Sequence, residues 1–214
     1  MTAEKLSLNT VLLAAGLSRR MGGINKLLID IDGRALVRKV AKLYLSLSTS
    51  VTIILGHEAD RVAEELSGLD VTILTNPDYA KGRQSTASYA IKHLKITGDA
   101  VVMALADQHR LTTDDLRDFF TAYSEGQREK ILIPQFQGRR GNPILFPSTI
   151  ARALQSDKQA PSCRQYIDKN PDNVHWFKTT SEHFIEDLDT PEDAERYGIP
   201  LDIKTAFKTA YTPE

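Results

Sequence analysis

Basic and acidic residues that could take part in catalysis or ligand binding follow several apolar runs of the sequence. The run VLLAAG ends at Gly16 and leads into a loop that contains arginines, further glycines and Lys26. Backbone amides in such a loop can cradle phosphate oxygens, and arginine and lysine add charge-assisted hydrogen bonds. The loop therefore indicates an anion site, although neither the dinucleotide fingerprint nor the P-loop spacing is present. A basic surface turn remains the alternative for this loop alone.

Carboxylates at the ends of two other apolar runs are candidates for holding a cation. Asp107 follows AVVMALA, and it either caps a turn or binds a cation, because an unpaired buried carboxylate is costly. Asp187 and Asp189 lie in FIEDLD, which we predict to be a strand, so their side chains would share one face. The following sequence TPED is typical of the start of a helix, so capping accounts for Glu192 and Asp193. Oxygen ligands contributed from separate strand ends suit Mg²⁺.

Five short apolar runs recur along the chain, with helical patterns between most of them. They are TVLLAAG, VTIILG, VTILTN, AVVMALAD and KILIPQF. The runs are continuous rather than alternating, which favours strands covered on both faces by helices. We therefore predict a three-layer α/β fold with a doubly wound, mostly parallel sheet. Ligands bind such sheets beyond the carboxyl ends of the strands, where the glycine-rich loop and Asp107 are both expected.

Beyond about residue 130 the pattern loosens into shorter elements. The sequences GNPILF and VHWFKTT predict strands, PSTIARAL predicts a short helix, and FIEDLD predicts a last strand before a last helix. No repeat, linker or change of composition marks a second domain. We expect one domain over residues 1–198 and an extension over residues 199–214, which could be packed, form a dimer contact or be loose.

Composition and charge exclude several classes of protein. The 214 residues include 27 Lys and Arg and 28 Asp and Glu, a net charge of -1, which argues against a protein that coats nucleic acid. No run approaches the ~18 apolar residues of a membrane span. The five histidines lack the spacing of a zinc site. The one cysteine, Cys163, favours a reducing compartment, so we expect a cytoplasmic protein with no nucleic-acid or membrane partner.

Five motifs in order are similar to those of the molybdopterin nucleotidyltransferase family, which includes the molybdenum cofactor cytidylyltransferases and their guanylyl relatives. The motifs are LLAAGLSRRMGGINK, NPDYAKGRQST, LADQ, GRRGNPILF and DLDTPED, and they span roughly Val11 to Tyr197. The resemblance implies the nucleotide-diphospho-sugar transferase fold, a GT-A-like Rossmann-type fold. It also implies transfer of a nucleoside monophosphate to a phosphorylated acceptor, with Mg²⁺ as cofactor and pyrophosphate as product.

The resemblance implies a role for each matching position. The wall and amide cradle of the nucleotide site would be formed by Leu13, Ala14, Ala15 and Gly16. The rest of the nucleotide site would be formed by Arg20, Lys26, Asn76, Gly82 and Ser85. The catalytic groups would be Lys26, Asp107 and Arg20, and the Mg²⁺ ligands would be Asp107, Asp189 and Asp187. The acceptor would be bound by Gly141, Asn142 and Pro143.

The resemblance also bears on the substrates. Within the family LAAG is associated with cytidylyl transfer and LAGG with guanylyl transfer, so Ala15 favours CTP. The implied acceptor is a phosphorylated pterin, molybdopterin, whose terminal phosphate would attack the α-phosphorus of the nucleotide. The family's usual proline after LADQ is replaced by His109, and SDKQAPSCRQ keeps only part of a Gly-Asp-x-Gly-x-Arg pattern. We expect both departures to lie on the acceptor side.

Two other functions remain open. A nucleotidyltransferase for a sugar phosphate or methylerythritol phosphate would share the opening loop and differ in its acceptor pocket. An accessory module that delivers a nucleotide or cofactor to a molybdoenzyme, or works with its chaperone, would keep the binding residues without catalysis. The presence of Lys26, Asp107 and Asp189 together favours the enzyme.

Overall fold

A mixed sheet of eight strands forms the centre of the molecule in the computed structural model, which describes residues 6–157 and 161–201. The strands are β1 (Leu8–Ala14), β2 (Ser50–Leu55), β3 (Thr72–Thr75), β4 (Ala100–Leu105), β5 (Ile131–Phe136), β6 (Arg139–Arg140), β7 (Ile144–Pro147) and β8 (Val174–Lys178). The helices are α1 (Leu36–Leu45), α2 (Ala59–Glu65), α3 (Arg83–His93), α4 (Thr113–Glu125), α5 (Ser148–Ser156), α6 (Cys163–Lys169) and α7 (Pro191–Arg196). Short 3-10 turns lie at Arg19–Met21, Lys26–Leu28, Tyr79–Lys81, Pro171–Asn173 and Glu182–Ile185.

The order of the strands determines where a ligand would bind. It is β3-β2-β1-β4-β7-β5-β6, with β8 also paired to β5. Parallel pairs join β1 to β2 and β4, β2 to β3, and β5 to β8. Strand β7 is antiparallel to β4 and β5, and β6 is antiparallel to β5. The chain winds outward from β1 to β3 and returns beside β1 at β4, so the carboxyl ends of β1 and β4 form the switch point. The predicted doubly wound, mostly parallel α/β fold is confirmed.

Two apolar cores, one on each face of the sheet, give the molecule its three layers. Leu12 of β1 belongs to the core that contains Tyr44 and Phe119. Its neighbour Val11 belongs to the other core, which contains Phe146. Successive side chains of a strand point to opposite faces, so a strand covered on both faces must be apolar at nearly every position. This is why β1 and β4 could be recognised as continuous apolar runs.

Two of the predicted strands differ from the structure. Strand β3 lies at the edge of the sheet and is mostly exposed rather than covered on both faces, with Ile73 38% exposed. The segment FIEDLD is not a strand: a 3-10 turn is followed by irregular chain up to α7. Its Leu188 is fully buried and donates a backbone hydrogen bond to the carbonyl of Asp107 (3.0 Å). The segment is therefore anchored beyond the end of β4 and is not a strand of the sheet.

The predicted extension is described only over its first residues. Ile199 and Leu201 are partly buried against the core that contains Tyr44, and residues 202–214 lie outside the described residues. The domain boundary at residue 198 therefore stays a prediction. Within residues 6–157 and 161–201, no helix is both long enough and apolar enough to cross a bilayer.

Candidate active site

The glycine-rich loop after β1 carries Lys26 to the end of β4. Ser18 adopts the left-handed conformation (φ 49°), and its hydroxyl accepts a hydrogen bond from the backbone amide of Lys26 (3.2 Å). Met21 is 1% exposed and anchors the loop in the core. The side chain of Asn25 caps the next turn by accepting from the amide of Leu27 (3.1 Å). These contacts fix the backbone at Lys26, so its side chain is directed inward and buried.

Three segments that are distant in the sequence meet in one cluster of charges. The Nζ atom of Lys26 donates to Oδ2 of Asp107 (2.5 Å) and to Oδ1 of Asp189 (2.7 Å), residues that lie 81 and 163 positions away. Arg20 donates through Nη2 to the other oxygen of Asp189 (2.7 Å). The structure thus brings together the predicted catalytic residues Lys26, Asp107 and Arg20 and a further predicted metal ligand, Asp189, at the switch point of the sheet.

The start of α7 holds Asp189 in place. The carboxylate of Asp193 accepts from the backbone amides of Asp189 (3.1 Å) and Thr190 (2.9 Å), and the Thr190 hydroxyl accepts from the amide of Asp193 (3.2 Å). This is a capping box, as the TPED sequence predicted. With Leu188 anchored to β4, both flanking carboxylates reach the cluster although the segment is not a strand.

The carboxylates fit a divalent metal ion. Oxygen atoms of Asp107, Asp187 and Asp189 lie within 4.8 Å of one another. Oδ1 of Asp107 is buried and has no hydrogen-bond partner in the part of the chain that the structure describes. A buried carboxylate oxygen without a partner is costly, and a cation would satisfy it. An all-oxygen donor set with few protein carboxylates suits Mg²⁺ or Mn²⁺ rather than zinc.

The charges of the cluster shift the proton affinities of its members. Burial raises the pKa of Asp187, and the charges of Asp107 and Asp189 raise it further. For Asp189, burial is outweighed by the hydrogen bond and charge of Lys26 and by Arg20, so its pKa is lowered. For Lys26, burial is outweighed by attraction to Asp107 and Asp189, so its pKa is raised. Lys26 and Asp189 are therefore both charged at neutral pH.

A cavity of about 300 Å³ opens above this cluster at the end of β1. The predicted nucleotide residues that line it are Leu13, Ala14, Ala15, Gly16, Arg20, Lys26 and Gly82, together with Asp107 and Asp189. Asn76 and Ser85 are not among the lining residues. Asn76 is fully buried, and its amide donates to the hydroxyls of Thr86 (3.2 Å) and Ser85 (3.4 Å). Asn76 therefore lies behind the wall, where its hydrogen bonds hold Ser85 and Thr86 at the start of α3.

The lining of this cavity also includes Tyr79, Arg83 and Thr86, which the sequence analysis did not assign to the site. A Cβ atom on Gly56 would lie 2.5 Å from Cβ of Tyr79, so only glycine lets Tyr79 approach this closely. Arg83 lies with Nη2 3.8 Å from Oδ2 of Asp187. The available signal was the NPDYAKGRQST motif, because its aromatic and basic residues flank the glycine of the predicted site.

A second cavity of about 700 Å³ adjoins the first and shares Leu13, Arg83 and Leu105 with it. Its polar wall carries four cations, Lys81, Arg83, Arg140 and Arg164, and its apolar wall includes Ala87, Met103, Ile144 and Phe146. Arg140 lies 3.6 Å from Asp168, and burial lowers the pKa of Arg140 despite that attraction. The second cavity therefore combines an apolar surface with positive charge that suits an anionic ligand.

Two of the three predicted acceptor residues line this second cavity. Gly141 and Asn142 line it and Pro143 does not, and the Asn142–Pro143 peptide is cis. Gln108 supports their loop by donating through Nε2 to the carbonyls of Phe184 (3.0 Å) and Asn142 (3.3 Å). A Cβ atom on Gly141 would lie 2.5 Å from the Phe184 carbonyl oxygen, so the close approach requires glycine.

The two departures from the family pattern lie in different places. Ser162, Cys163 and Arg164 of the SDKQAPSCRQ segment line the second cavity, and their place on the acceptor side stays a prediction. His109 does not line the second cavity: its ring contacts Tyr197 (4.5 Å between centroids) in a separate cleft. The side chain is buried, which lowers its pKa to about 4, so the imidazole is neutral at pH 7.

Comparisons with known proteins agree with this geometry. The chain is 27% identical over 194 residues to nicotine blue oxidoreductase of Paenarthrobacter nicotinovorans, covering 87% of this chain and 94% of the relative. It is 24% identical over 196 residues to molybdenum cofactor cytidylyltransferase of Escherichia coli (strain K12), covering 89% and 97%. A solved nucleotidyl transferase of Methanothermobacter thermautotroptrophicus superposes with a TM-score of 0.72 at 19% identity, covering 89% and 95%. This similarity confirms the nucleotide-diphospho-sugar transferase fold. The family model of the MobA-like NTP transferase domain matches residues 10–174. The chain belongs to the family of MobA-like NTP transferase domains.

Proposed function

We propose that the protein transfers CMP from CTP to a phosphorylated pterin acceptor, molybdopterin, and releases pyrophosphate. The observation that carries the proposal is the meeting of Lys26, Asp107 and Asp189 at 2.5 and 2.7 Å beside the first cavity. A cluster of cations and carboxylates at the switch point of a doubly wound sheet is suited to a metal-assisted reaction on phosphates.

Positioning and charge stabilisation account for the chemistry. The amides of the loop at Gly16 and the side chains of Arg20 and Lys26 would hold the triphosphate, with the α-phosphorus turned toward the second cavity. Asp107, Asp187 and Asp189 would hold Mg²⁺, which when bound supplies charge stabilisation to the phosphates and to the departing pyrophosphate. An acceptor phosphate is ionised at neutral pH and attacks in line without a general base. Orientation of the two ligands and fixed cations therefore lower the barrier.

The second cavity would hold the acceptor. Arg140 and Arg164 offer guanidinium groups that match a phosphate in a bidentate manner, and the apolar wall formed by Met103, Ile144 and Phe146 fits a flat ring. Because the two cavities share Leu13, Arg83 and Leu105, the acceptor phosphate would lie next to the α-phosphate of the nucleotide. This arrangement supports transfer between two bound ligands rather than hydrolysis of one.

The finer parts of the proposal have separate support. Ala15 lines the first cavity, and the resemblance of LAAG to the cytidylyl branch favours CTP over GTP. The similarity to the E. coli cytidylyltransferase supports a molybdopterin acceptor and, with it, delivery of the product to a molybdoenzyme or its chaperone. A cytoplasmic location is supported by the single cysteine in 214 residues.

A panel of the four nucleoside triphosphates with Mg²⁺ tests the proposal. A ligand that binds only the folded state raises its stability by RT ln(1 + [L]/Kd), so CTP should raise the Tm most. With molybdopterin added, CTP should give one pyrophosphate for each acceptor consumed. CTP binding without pyrophosphate release would favour the accessory module, and release with a sugar phosphate alone would favour that acceptor.

An oxidoreductase activity is a second candidate because the relative at 27% identity carries that name. The charged cluster favours transfer, because buried carboxylates paired with cations serve phosphate chemistry more directly than hydride or electron transfer. Turnover of a redox substrate by the purified protein, with no nucleotidyl transfer, would decide for the oxidoreductase.

A further inference from the structure

Lys26 and a divalent metal ion would be held by the same carboxylates. The ammonium of Lys26 lies 2.5 Å from Oδ2 of Asp107 and 2.7 Å from Oδ1 of Asp189. Oxygen atoms of these two residues and of Asp187 form the cluster that fits a metal. Like charges repel strongly at short distance in a partly buried site, so an ammonium on Asp107 and Asp189 weakens the binding of a divalent ion to the same carboxylates.

The ammonium is held firmly when no ligand is bound. The side chains of Lys26, Asp107 and Asp189 are only 10%, 10% and 19% exposed. Removal of one partner from a buried ion pair leaves the other charge uncompensated, which is strongly unfavourable. A divalent ion alone must therefore displace Lys26 without offering it another anion.

A phosphate chain supplies the anion that Lys26 needs. Gly16, Arg20 and Lys26 line one cavity, so a phosphate cradled by the loop would lie within reach of Nζ. Lysine carries its three donors on a flexible four-carbon stem, so Nζ can turn from carboxylates to phosphate without movement of the backbone. Arg20 pairs with Oδ2 of Asp189 at 2.7 Å from the edge of the cluster, with its side chain 66% exposed, whereas Lys26 lies between the two carboxylates.

We propose that Lys26 is the resident cation of the carboxylate cluster, and that a divalent metal enters efficiently only together with a phosphate chain, to which Lys26 transfers. The inference rests on the proposed function for the identity of the phosphate ligand. It gives Lys26 a positioning role before the reaction, in addition to its contact with phosphate. Binding of the metal and of the nucleotide is then coupled, and each raises the affinity for the other.

Titration of the full-length protein with Mn²⁺ in the absence of nucleotide tests this inference. The free ion is measured by electron paramagnetic resonance. Lys26→Met keeps the length of the side chain and removes its charge, so this variant should bind Mn²⁺ at least about tenfold more tightly than the wild type. Lys39→Met is the matched control, because Lys39 pairs with Asp32 at 3.0 Å on the surface. The control should bind Mn²⁺ as the wild type does.

A double variant tests whether the higher Mn²⁺ affinity arises at the carboxylate cluster. Adding Asp107→Asn to Lys26→Met should abolish the tighter binding of Mn²⁺. If Lys26→Met does not fold, Lys26→Gln takes its place. Equal Mn²⁺ affinity of the wild type and the Lys26 variant, or a gain that survives Asp107→Asn, would overturn the inference. The titration involves no turnover, so equal affinities would leave the proposed transfer standing. Conversely, failure of the transfer assay would leave a measured gain in Mn²⁺ affinity intact.

Discussion

Replacement of Asp107 by asparagine separates catalysis from folding, because it keeps the shape of the side chain and removes its charge. Asp107 accepts from Lys26 at 2.5 Å through Oδ2, and its buried Oδ1 has no hydrogen-bond partner among the described residues. Both oxygens are therefore available to the metal once Lys26 leaves. Loss of this ligand should lower turnover ~10²-fold or more, since a bound metal contributes several kcal/mol of transition-state stabilisation.

The fold should survive the same change. Lys26 keeps Asp189 as a partner at 2.7 Å, so its ammonium is not left unpaired. The loss is then one hydrogen bond between charged groups, about 1.5–3 kcal/mol. For a domain of this size that loss lowers the Tm by roughly 3–12 °C. A folded variant with greatly reduced turnover is the expected result.

The assay is pyrophosphate release from CTP with Mg²⁺ and excess molybdopterin, run well below the Tm of the variant. Asp114→Asn is the control: Asp114 pairs with Arg117 at 3.1 Å on α4, and its side chain is 87% exposed. The control should match the wild type in both turnover and Tm. Near-normal turnover by folded Asp107→Asn would refute the metal assignment.

Three further substitutions and one labelling experiment test other parts of the account. Gly141→Ala should lower the Tm by several degrees, because its Cβ would lie 2.5 Å from the Phe184 carbonyl oxygen. A Cβ atom on Gly16 would meet no described atom within 4 Å, so Gly16→Ala should keep the Tm of the wild type. The same variant should bind CTP more weakly in a calorimetric titration. Equal Tm values for Gly141→Ala and Gly16→Ala would contradict the difference expected between these two glycines. Burial raises the pKa of Cys163 to about 11. Below that pH the reactive thiolate is scarce, so iodoacetamide should label Cys163 roughly 100-fold more slowly than a free thiol at pH 8. The rate of labelling should increase as the pH rises. Rapid labelling at pH 7 would be inconsistent with a buried thiol. Arg140→Met should raise the KM for the acceptor and leave CTP affinity unchanged, and a loss of CTP affinity would argue against separate cavities.

The frame of the site could be predicted from the sequence because it depends on local patterns. Continuous apolar runs identify β1 and β4, a glycine-rich loop follows the first, and Asp107 follows the second. In doubly wound sheets the ligand binds at the carboxyl ends of the strands, so the loop and the carboxylate are expected to lie close together. Asp187 and Asp189 stood out because helix capping accounts for Asp193 and not for them, and both belong to the cluster although their segment is not a strand.

The directions of individual side chains could not be predicted, because they depend on contacts between distant segments. Nothing in the sequence near Lys26 shows that its ammonium lies between two carboxylates, since one of them is 163 residues away. Asn76 has a type suited to a ribose contact, yet it is fully buried behind the wall. His109 lies two residues after Asp107, yet its ring contacts Tyr197. In each case only the packed structure decides between a ligand contact and a structural one.

Transfer of an isotopic label tests the central claim most directly. The protein is incubated with Mg²⁺, molybdopterin and CTP labelled with ³²P at either the α- or the γ-phosphate. The account predicts that the α-label moves to the acceptor and that the γ-label leaves as pyrophosphate in equal amount. Folded protein that leaves the α-label in CTP, or releases it as free CMP, would contradict nucleotidyl transfer at the Lys26, Asp107 and Asp189 cluster.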